Sequence, residues 1–377
     1  MFRSLLARSC VYSIIPAMLR KCILFLLVIT WLSEMAPFME TVQANEENTY
    51  PSGHASFGST LPAIKPDSAL AAVPFYYGQV VTDIAPIYGS IDDARTNKAN
   101  KAKRTLPIGQ RRLTYVTYVN EQVVDSKSFF DMGNGEWMSS LDVHHVTPSP
   151  FQGFVFWRTP DRDFGWLLKP VNPVQTPGQE ENNDANSAPL SQNSVVQIYA
   201  KTKIGESDWF QVGPGQWLDD ASIARVMVNP NPPQGITNDR WIEVNLMEQT
   251  LSVYDQKRLV FATLISSGAE GHWTRPGIFK ISLKKESETM KLYDPTYVDN
   301  YLLEDVPWTM YFDEQRALHG SYWHNHFGVA GSRGCVNLSN GDAYWIFKWA
   351  NNGEFVYVWD PSGKTPVDPA VYDKGGA

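Results

Sequence analysis

Two stretches of this chain repeat one another. Residues 129–146 read FFDMGNGEWMSSLDVHHV and residues 209–226 read WFQVGPGQWLDDASIARV. Phe130, Gly133, Gly135 and Trp137 recur 80 positions later as Phe210, Gly213, Gly215 and Trp217, and Tyr115-Val116 matches Val195-Val196 at the same offset. Farther back the offset becomes 87: Tyr77-Gly78 and Pro86 pair with Phe164-Gly165 and Pro173. Both copies insert a polar segment at the same place, Ser90–Arg104 in the first and Gln175–Ser194 in the second. Within each copy, short runs of alternating apolar and polar residues are broken by glycine turns. That is the pattern of a small β-barrel. Trp137 and Trp217 read as core residues. His144 and His145 are adjacent, so a strand points them to opposite faces and they cannot share a ligand from one face.

A proline-rich linker, VNPNPPQGIT (228–237), ends the repeated region. The alternation beyond it is stricter. Ile242, Val244 and Leu246 lie on one face of a strand, and Leu251, Val253 and Tyr254 follow a turn, as successive antiparallel strands require. Thr274-Arg275-Pro276-Gly277 forms a turn and Ile278–Leu283 another strand. Residues 284–305 have no clear period and read as an irregular lid. Val306–Phe312 resumes as a strand. Ser339 followed by Asp342 starts a helix in the manner of a capping box, running to about Ala350, and Phe355–Trp359 closes the region as a strand.

The N-terminus reads as an export signal. Arg20 and Lys21 precede an apolar run from Ile23 to Leu32, short for a membrane span but suited to a signal core, and Val42-Gln43-Ala44 offers a cleavage site. An uncleaved membrane anchor is the alternative, and either way the body of the protein is expected outside the cytoplasm. Cleavage removes Cys10 and Cys22 and leaves Cys335 as the sole thiol, either a passive core group or one kept for chemistry. The leader carries four basic and two acidic residues, so its loss takes the formal net charge from −8 to −10. Such a balance argues against nucleic acid or an anionic membrane surface as the main partner. Residues 45–72 read as a flexible tether in which His54 is a solvated histidine.

Cys335 ends the stretch HGSYWHNHFGVAGSRGC, with His319 16 positions upstream. A thiol nucleophile needs a base and donors for the developing oxyanion, and this stretch can supply both. A free thiol has a pKa near ~8.5, so His319 is expected to deprotonate Cys335 or to hold it as an ion pair. Arg333 adds positive potential, and the backbone N–H groups of Arg333 to Cys335 are natural oxyanion donors. His324 and His326 lie near, but no carboxylate or second cysteine completes a metal site with His319. His272 lies by the Thr274 turn and either lines the groove or is simply exposed.

These residues resemble a known family. From Trp241 to about Asp360 the chain is similar to the L,D-transpeptidase, or YkuD-type, catalytic domain. WIEVNLMEQTLSVYD resembles its first hairpin, Thr274–Gly277 its turn, and His319-Gly320 followed by Ser332-Arg333-Gly334-Cys335 and Asn337 its signature. Arg333 stands where many members have histidine, which leaves His319 as the base. The aromatic–turn–Trp endings of the repeats resemble bacterial SH3-like domains. The expected architecture is therefore mainly β: a signal peptide (1–44), the tether (45–72), two small SH3-like β-barrels (73–148 and 152–228), an L,D-transpeptidase β-sandwich domain with a short helix (238–360) and a tail (361–377).

The resemblance implies peptidoglycan cross-linking through a cysteine thioester. One stem peptide acts as donor and the side-chain amine of a diamino acid on another as acceptor. Cys335 would be the nucleophile and His319 the base, oriented by the Gly320 carbonyl. Ser332, Arg333 and Gly334 would form the signature turn, and Tyr311, Trp323 and Asn337 would meet substrate. No metal or cofactor is implied. The membrane is involved only through the N-terminal segment, if uncleaved, and the expected place is the cell wall or periplasm. Alternatives are an L,D-carboxypeptidase that trims stems and a non-catalytic wall-binding protein. A papain-like peptidase fails because all seven histidines precede Cys335, and a sortase fails because no arginine follows it.

Overall fold

The computed structural model describes residues 61–372, apart from 68, 70, 71, 107–112, 182–187 and 293–299. The leader and His54 lie outside the described residues. Among those described, no helix is long and apolar enough to cross a membrane.

The strict alternation after Trp241 becomes a seven-stranded sheet. Its order is Ala63–Ile64, Phe154–Phe156, Arg258–Leu264, Thr250–Asp255, Trp241–Asn245, Phe355–Trp359 and Gly277–Lys280. Phe355–Trp359 runs parallel to Trp241–Asn245, and the other neighbours are antiparallel. A second seven-stranded sheet runs Val336–Leu338, Arg316–Gly320, Tyr301–Asp313, Leu113–Tyr118, Tyr76–Val80 and Val143–Val146, with Leu283–Leu292 also paired to Tyr301–Asp313. One apolar cluster draws on both sheets: Ile242, Val244, Leu251, Val253 and Phe261 from the first, and Met310, Phe312, Leu318, Val336 and Leu338 from the second. Burial of this size is the main term holding such a fold together.

The helix begins where the Ser339 hydroxyl accepts a hydrogen bond from Asp342 N at 3.2 Å, and it spans Asn340–Trp349. Ala343, Ile346 and Phe347 bury its inner face in the same cluster. Asp342 does more than start the helix. Its carboxylate accepts from Gly153 N at 3.0 and 3.1 Å and from Thr263 Oγ1 at 2.5 Å, all buried. Burial raises its pKa to about 6.

The repeat is visible in the register. Phe130 faces Met138 and Asp131 faces Trp137 before a bulge at Gly133. Phe210 faces Leu218 and Gln211 faces Trp217 before the same bulge at Gly213. Gly78 and Gly165 occupy matching middle strands. A Cβ at Gly78 would meet Val143 Cγ1 at 2.2 Å, and one at Gly165 would meet the Ala224 carbonyl at 2.5 Å, so both positions need the close cross-strand approach that glycine allows. Trp137 and Trp217 are both half-buried.

The expected barrels are not found: among the described residues no closed barrel forms. Three strands of the first copy continue the second seven-stranded sheet, where Leu113–Tyr115 pairs in parallel with Tyr301–Leu303. Its other strands make a five-stranded sheet. The 152–228 segment gives Phe154–Phe156 to the first seven-stranded sheet, and its remaining strands form two separate three-stranded sheets, one of Val195–Gln197, Phe164–Leu167 and Ile223–Val226, the other of Ala200–Ile204, Ser207–Gly213 and Gln216–Asp219. Short alternating strands specify sheets, but closure depends on which edges find partners, and here an edge of the first copy is taken by a distant strand. The polar segment of the first copy also differs from a plain loop. Ser90 caps a short helix, Ile91–Thr96.

The irregular lid expected at 284–305 is a long antiparallel ribbon instead, paired from Leu283–Tyr311 to Leu292–Tyr301. Asp305 takes a positive φ of 48° where its register shifts, and Trp308 takes one of 60° within the regular stretch before the shift. Leu283–Leu292 is mostly exposed, and exposure on both of its faces erases the period-two apolar signal.

Candidate functional site

The turn that carries Cys335 is pinned from several sides. Gly331 N and Ser332 N both donate to the Ser267 carbonyl, at 2.9 and 3.0 Å, and Ala269 N donates to the Ser332 carbonyl at 2.9 Å. The Thr274 hydroxyl accepts from Gly268 N and donates to the Gly334 carbonyl, each at 2.9 Å. The Ser332 hydroxyl donates to the Cys335 carbonyl at 2.5 Å and accepts from Gly334 N at 3.1 Å. The Gly334 amide is thereby engaged inside the turn. Gly334 has φ +112°, a conformation that favours glycine, and a Cβ there would crowd the Arg316 side chain at 3.1 Å from Nε.

After the turn, Val336–Leu338 pairs in parallel with Arg316–Gly320, setting His319 opposite Asn337. Extending that register by one places Ala317 beside Cys335, and Ala317 N donates to Cys335 Sγ at 3.4 Å. Cys335, Asn337, Ala317 and His319 therefore share one face of adjacent strands. Cys335 is the free cysteine of the described residues and is 1% exposed, while His319 is 0% exposed.

The His319 ring is oriented by its neighbour. Nδ1 lies 3.1 Å from the Gly320 carbonyl, which can only accept, so the proton sits on Nδ1 and Nε2 presents a bare lone pair. Nε2 is buried and makes no hydrogen bond among the described residues. Burial pushes the His319 pKa down to about 4, against the opposing Gly320 contact. Burial also pushes the Cys335 thiol up to about 12, opposed by the Ala317 N–H and the Arg316 charge. Burial thus favours a neutral thiol and a neutral imidazole over an ion pair at rest.

The positive charge acting on Cys335 comes from Arg316, which the sequence reading did not single out. Arg316 is 2% exposed and pairs with Asp313 at 3.4 Å, and Asp313 also pairs with Arg275. Its signal in the sequence was a charged residue opening the apolar strand that leads to His319. Arg333, expected to supply that potential, has its guanidinium 5.0 Å from the Tyr301 ring centroid.

The ribbon forms a wall of the site. Cys335 is close enough for its charge to act on the Tyr301 and Tyr311 hydroxyls, and burial raises both pKa values, Tyr301 to about 12. Trp323 borders His319, with ring centroids 5.7 Å apart. The Asn337 amide lies 2.9 Å from His324 Nε2. Burial lowers the His324 pKa to about 4. His326 is exposed. His272 lies in the 269–272 turn, where its N–H donates to the Ala269 carbonyl. His145 Nδ1 meets the Tyr118 hydroxyl at 2.7 Å, away from this group. Among the described residues, no group of three or more His, Cys, Asp or Glu side chains is arranged to hold a metal ion.

Residues 239–358 match the model of the L,D-transpeptidase catalytic domain family, YkuD. Both repeats lie outside the matched span. Among solved structures, the chain is similar to an Enterococcus faecium L,D-transpeptidase C442S mutant, with 27% identity over 32% of this chain and 49% of that one and a TM-score of 0.29. For the catalytic domain of the E. faecium L,D-transpeptidase the values are 29% identity, 33% of this chain, 100% of that one and a TM-score of 0.29. For an L,D-transpeptidase from Mycobacterium smegmatis they are 14%, 57%, 93% and 0.30. The chain spans about half the length of the first of these. No curated protein sequence matches the chain.

Proposed function

We propose that this protein is a peptidoglycan L,D-transpeptidase acting outside the cytoplasm, with Cys335 as nucleophile and His319 as base. The observation that carries the reading is the bare Nε2 of His319 on the same sheet face as Cys335, inside the span that matches the family model. With both groups neutral, proton transfer accompanies attack. The thiol proton passes to Nε2 as sulfur bonds to the carbonyl carbon of the donor stem. Arg316 and the Ala317 N–H favour negative charge on sulfur as it develops.

The leaving D-residue takes the proton from His319 and departs as an amine, leaving a thioester on Cys335. An acceptor amine then attacks the thioester. Tyr301, Tyr311 and Trp323 are suited to packing the donor and keeping water from the thioester. In this reading Ser332, Arg333 and Gly334 shape the nucleophile turn, and Asn337 flanks it.

Mass spectrometry after exposure to a carbapenem-type acylator tests this. One covalent adduct on Cys335 is expected, absent in Cys335→Ala and much slowed in His319→Gln. A wild-type chain that stays unmodified contradicts the reading and leaves a wall-binding protein. Release of a shortened stem without cross-linking makes the enzyme a carboxypeptidase.

A further inference from the structure

The ribbon beside the site carries a group that the reaction above does not use. Glu288 stands opposite Val306 on the ribbon. Its Oε2 accepts from Lys285 Nζ at 2.6 Å, and its side chain is 13% exposed. Its Oε1 is buried and makes no hydrogen bond of normal geometry among the described residues, with the Tyr311 hydroxyl within reach of the same carboxylate. The carboxylate acts on three groups of the site at once: it raises the Cys335 thiol, favours a protonated His319 and raises the Tyr311 hydroxyl. Glu288 is thus within electrostatic reach of the thiol and the imidazole, on the ribbon strand that pairs with the strand of Tyr311.

A carboxylate in that position works against the first half of the reaction. It opposes the thiolate and the oxyanion, and a buried oxygen without a well-placed donor carries a desolvation cost. Both effects are offset if a cation occupies the position during turnover. Lys285 takes only Oε2. Among the reactants, the donor carbonyl and water are neutral, whereas a primary alkyl amine with a pKa of about 10.4 arrives as an ammonium ion.

We propose that Glu288 is the acceptor-binding residue: its Oε1 receives the alkylammonium group of the incoming amine and seats it beside the bare Nε2 of His319. This inference rests on the acyl-transfer reading. The ammonium gives one proton to His319 Nε2 and becomes a nucleophile. Its nitrogen attacks the thioester carbon, the C–N bond forms and the C–S bond breaks. The second nitrogen proton goes to the departing sulfur, which regenerates the thiol, and His319 returns its proton to solvent. Water gains nothing from Glu288, so the residue biases the acyl-enzyme toward amines.

The test compares wild type with Glu288→Gln and Glu288→Asp. Each chain is given a tetrapeptide-stem donor and a free diamino acid at varied concentration, and amide and hydrolysed products are separated. At subsaturating amine, Glu288→Gln is expected to lower the amide-to-acid ratio at least tenfold through a raised KM for the amine. Glu288→Asp, which keeps the charge, is expected to lower it about threefold and serves alone if Glu288→Gln does not fold. Hydroxylamine, uncharged at neutral pH, separates binding of charge from a merely structural role, because its ratio should change less than twofold. An amine ratio within twofold of wild type overturns the proposal, and so does an equal loss with both nucleophiles or a wild type that only hydrolyses. The Cys335 adduct is weighed in the same samples. If wild type carries none, the acyl-transfer reading falls and the inference with it. If the adduct is present and the amine ratio does not move, only the inference falls.

Discussion

The two copies of the repeat have the same hairpin, the same bulge and the same crowded glycine, yet they join the rest of the protein differently. The first copy is continuous with the sheet that carries the candidate site. Leu113–Tyr115 pairs with Tyr301–Leu303, and Thr117 holds the ribbon corner through its N–H to Glu304 at 3.1 Å and its hydroxyl to Asp305 at 2.5 Å. Tyr77 stacks on Tyr322, and the Tyr115 hydroxyl donates to the Trp323 carbonyl at 3.4 Å. In the second copy, among the described residues, only the leading strand Phe154–Phe156 pairs with a strand of the matched span, Arg258–Leu264, and the strands that repeat the first copy are tied to it through side chains. Arg225 forms a buried ion pair with Glu248, and Phe164 and Trp166 pack in one cluster with Trp241 and Tyr254. A repeated sequence unit can thus be an extension of a reaction site in one instance and a docked neighbour in the other. What decides is which strand edge is completed, not the unit's own pattern.

The comparison breaks most sharply at the ion pair. Arg225→Met leaves the Glu248 carboxylate, 5% exposed, buried and unpaired. The expected loss is about 3–5 kcal/mol of stability by urea unfolding, with the acylation rate of the folded fraction within twofold of wild type. A rate that falls in step with stability would erase the distinction between the copies.

The matched glycines give the next largest effect. Gly78→Val and Gly165→Val should each cost about 1–3 kcal/mol by overpacking. Only Gly78→Val should also slow Cys335 acylation, at least fivefold. Thr117→Val sharpens the same point at smaller size. Removing its hydroxyl from Asp305 should cost about 1 kcal/mol and slow acylation about threefold, because the ribbon corner loosens. Equal effects of either pair on acylation would place both copies outside the site.

A pH dependence arises at Asp342, where Gly153, at the start of the 152–228 segment, reaches the helix behind the nucleophile turn. Its folded pKa of about 6 lies above the ordinary 3.8. The folded chain therefore binds more protons than the unfolded chain between those values. This contribution is favourable at low pH, declines as pH rises from about 4 to 6, and is flat above. In Asp342→Asn that slope should disappear from stability measured against pH. A slope that persists would assign it elsewhere.

Much of the site was legible because it is local. The SRGC turn and the Ser339–Asp342 cap each act within a few residues, and local patterns record them. The ribbon was not legible, because Leu283–Leu292 is mostly exposed and carries no buried stripe. The junction of the first copy was not legible either. It joins residues nearly two hundred positions apart, and nothing in LTYVTY distinguishes a strand that ends a barrel from one that receives Tyr301–Leu303 in parallel. The electrostatics of the site failed for a related reason. Arg333 is two positions from Cys335 in sequence, but Arg316 and Glu288 act on the thiol across strands, and burial outweighs both.

Incubation with tetrapeptide-stem muropeptides, followed by mass analysis of the products, tests the central claim most directly. The account predicts stem dimers joined by a new amide, formed by wild type and by Arg225→Met in proportion to its folded fraction, and absent with Cys335→Ala. Dimers formed by Cys335→Ala, or wild-type products limited to shortened monomers, would contradict it.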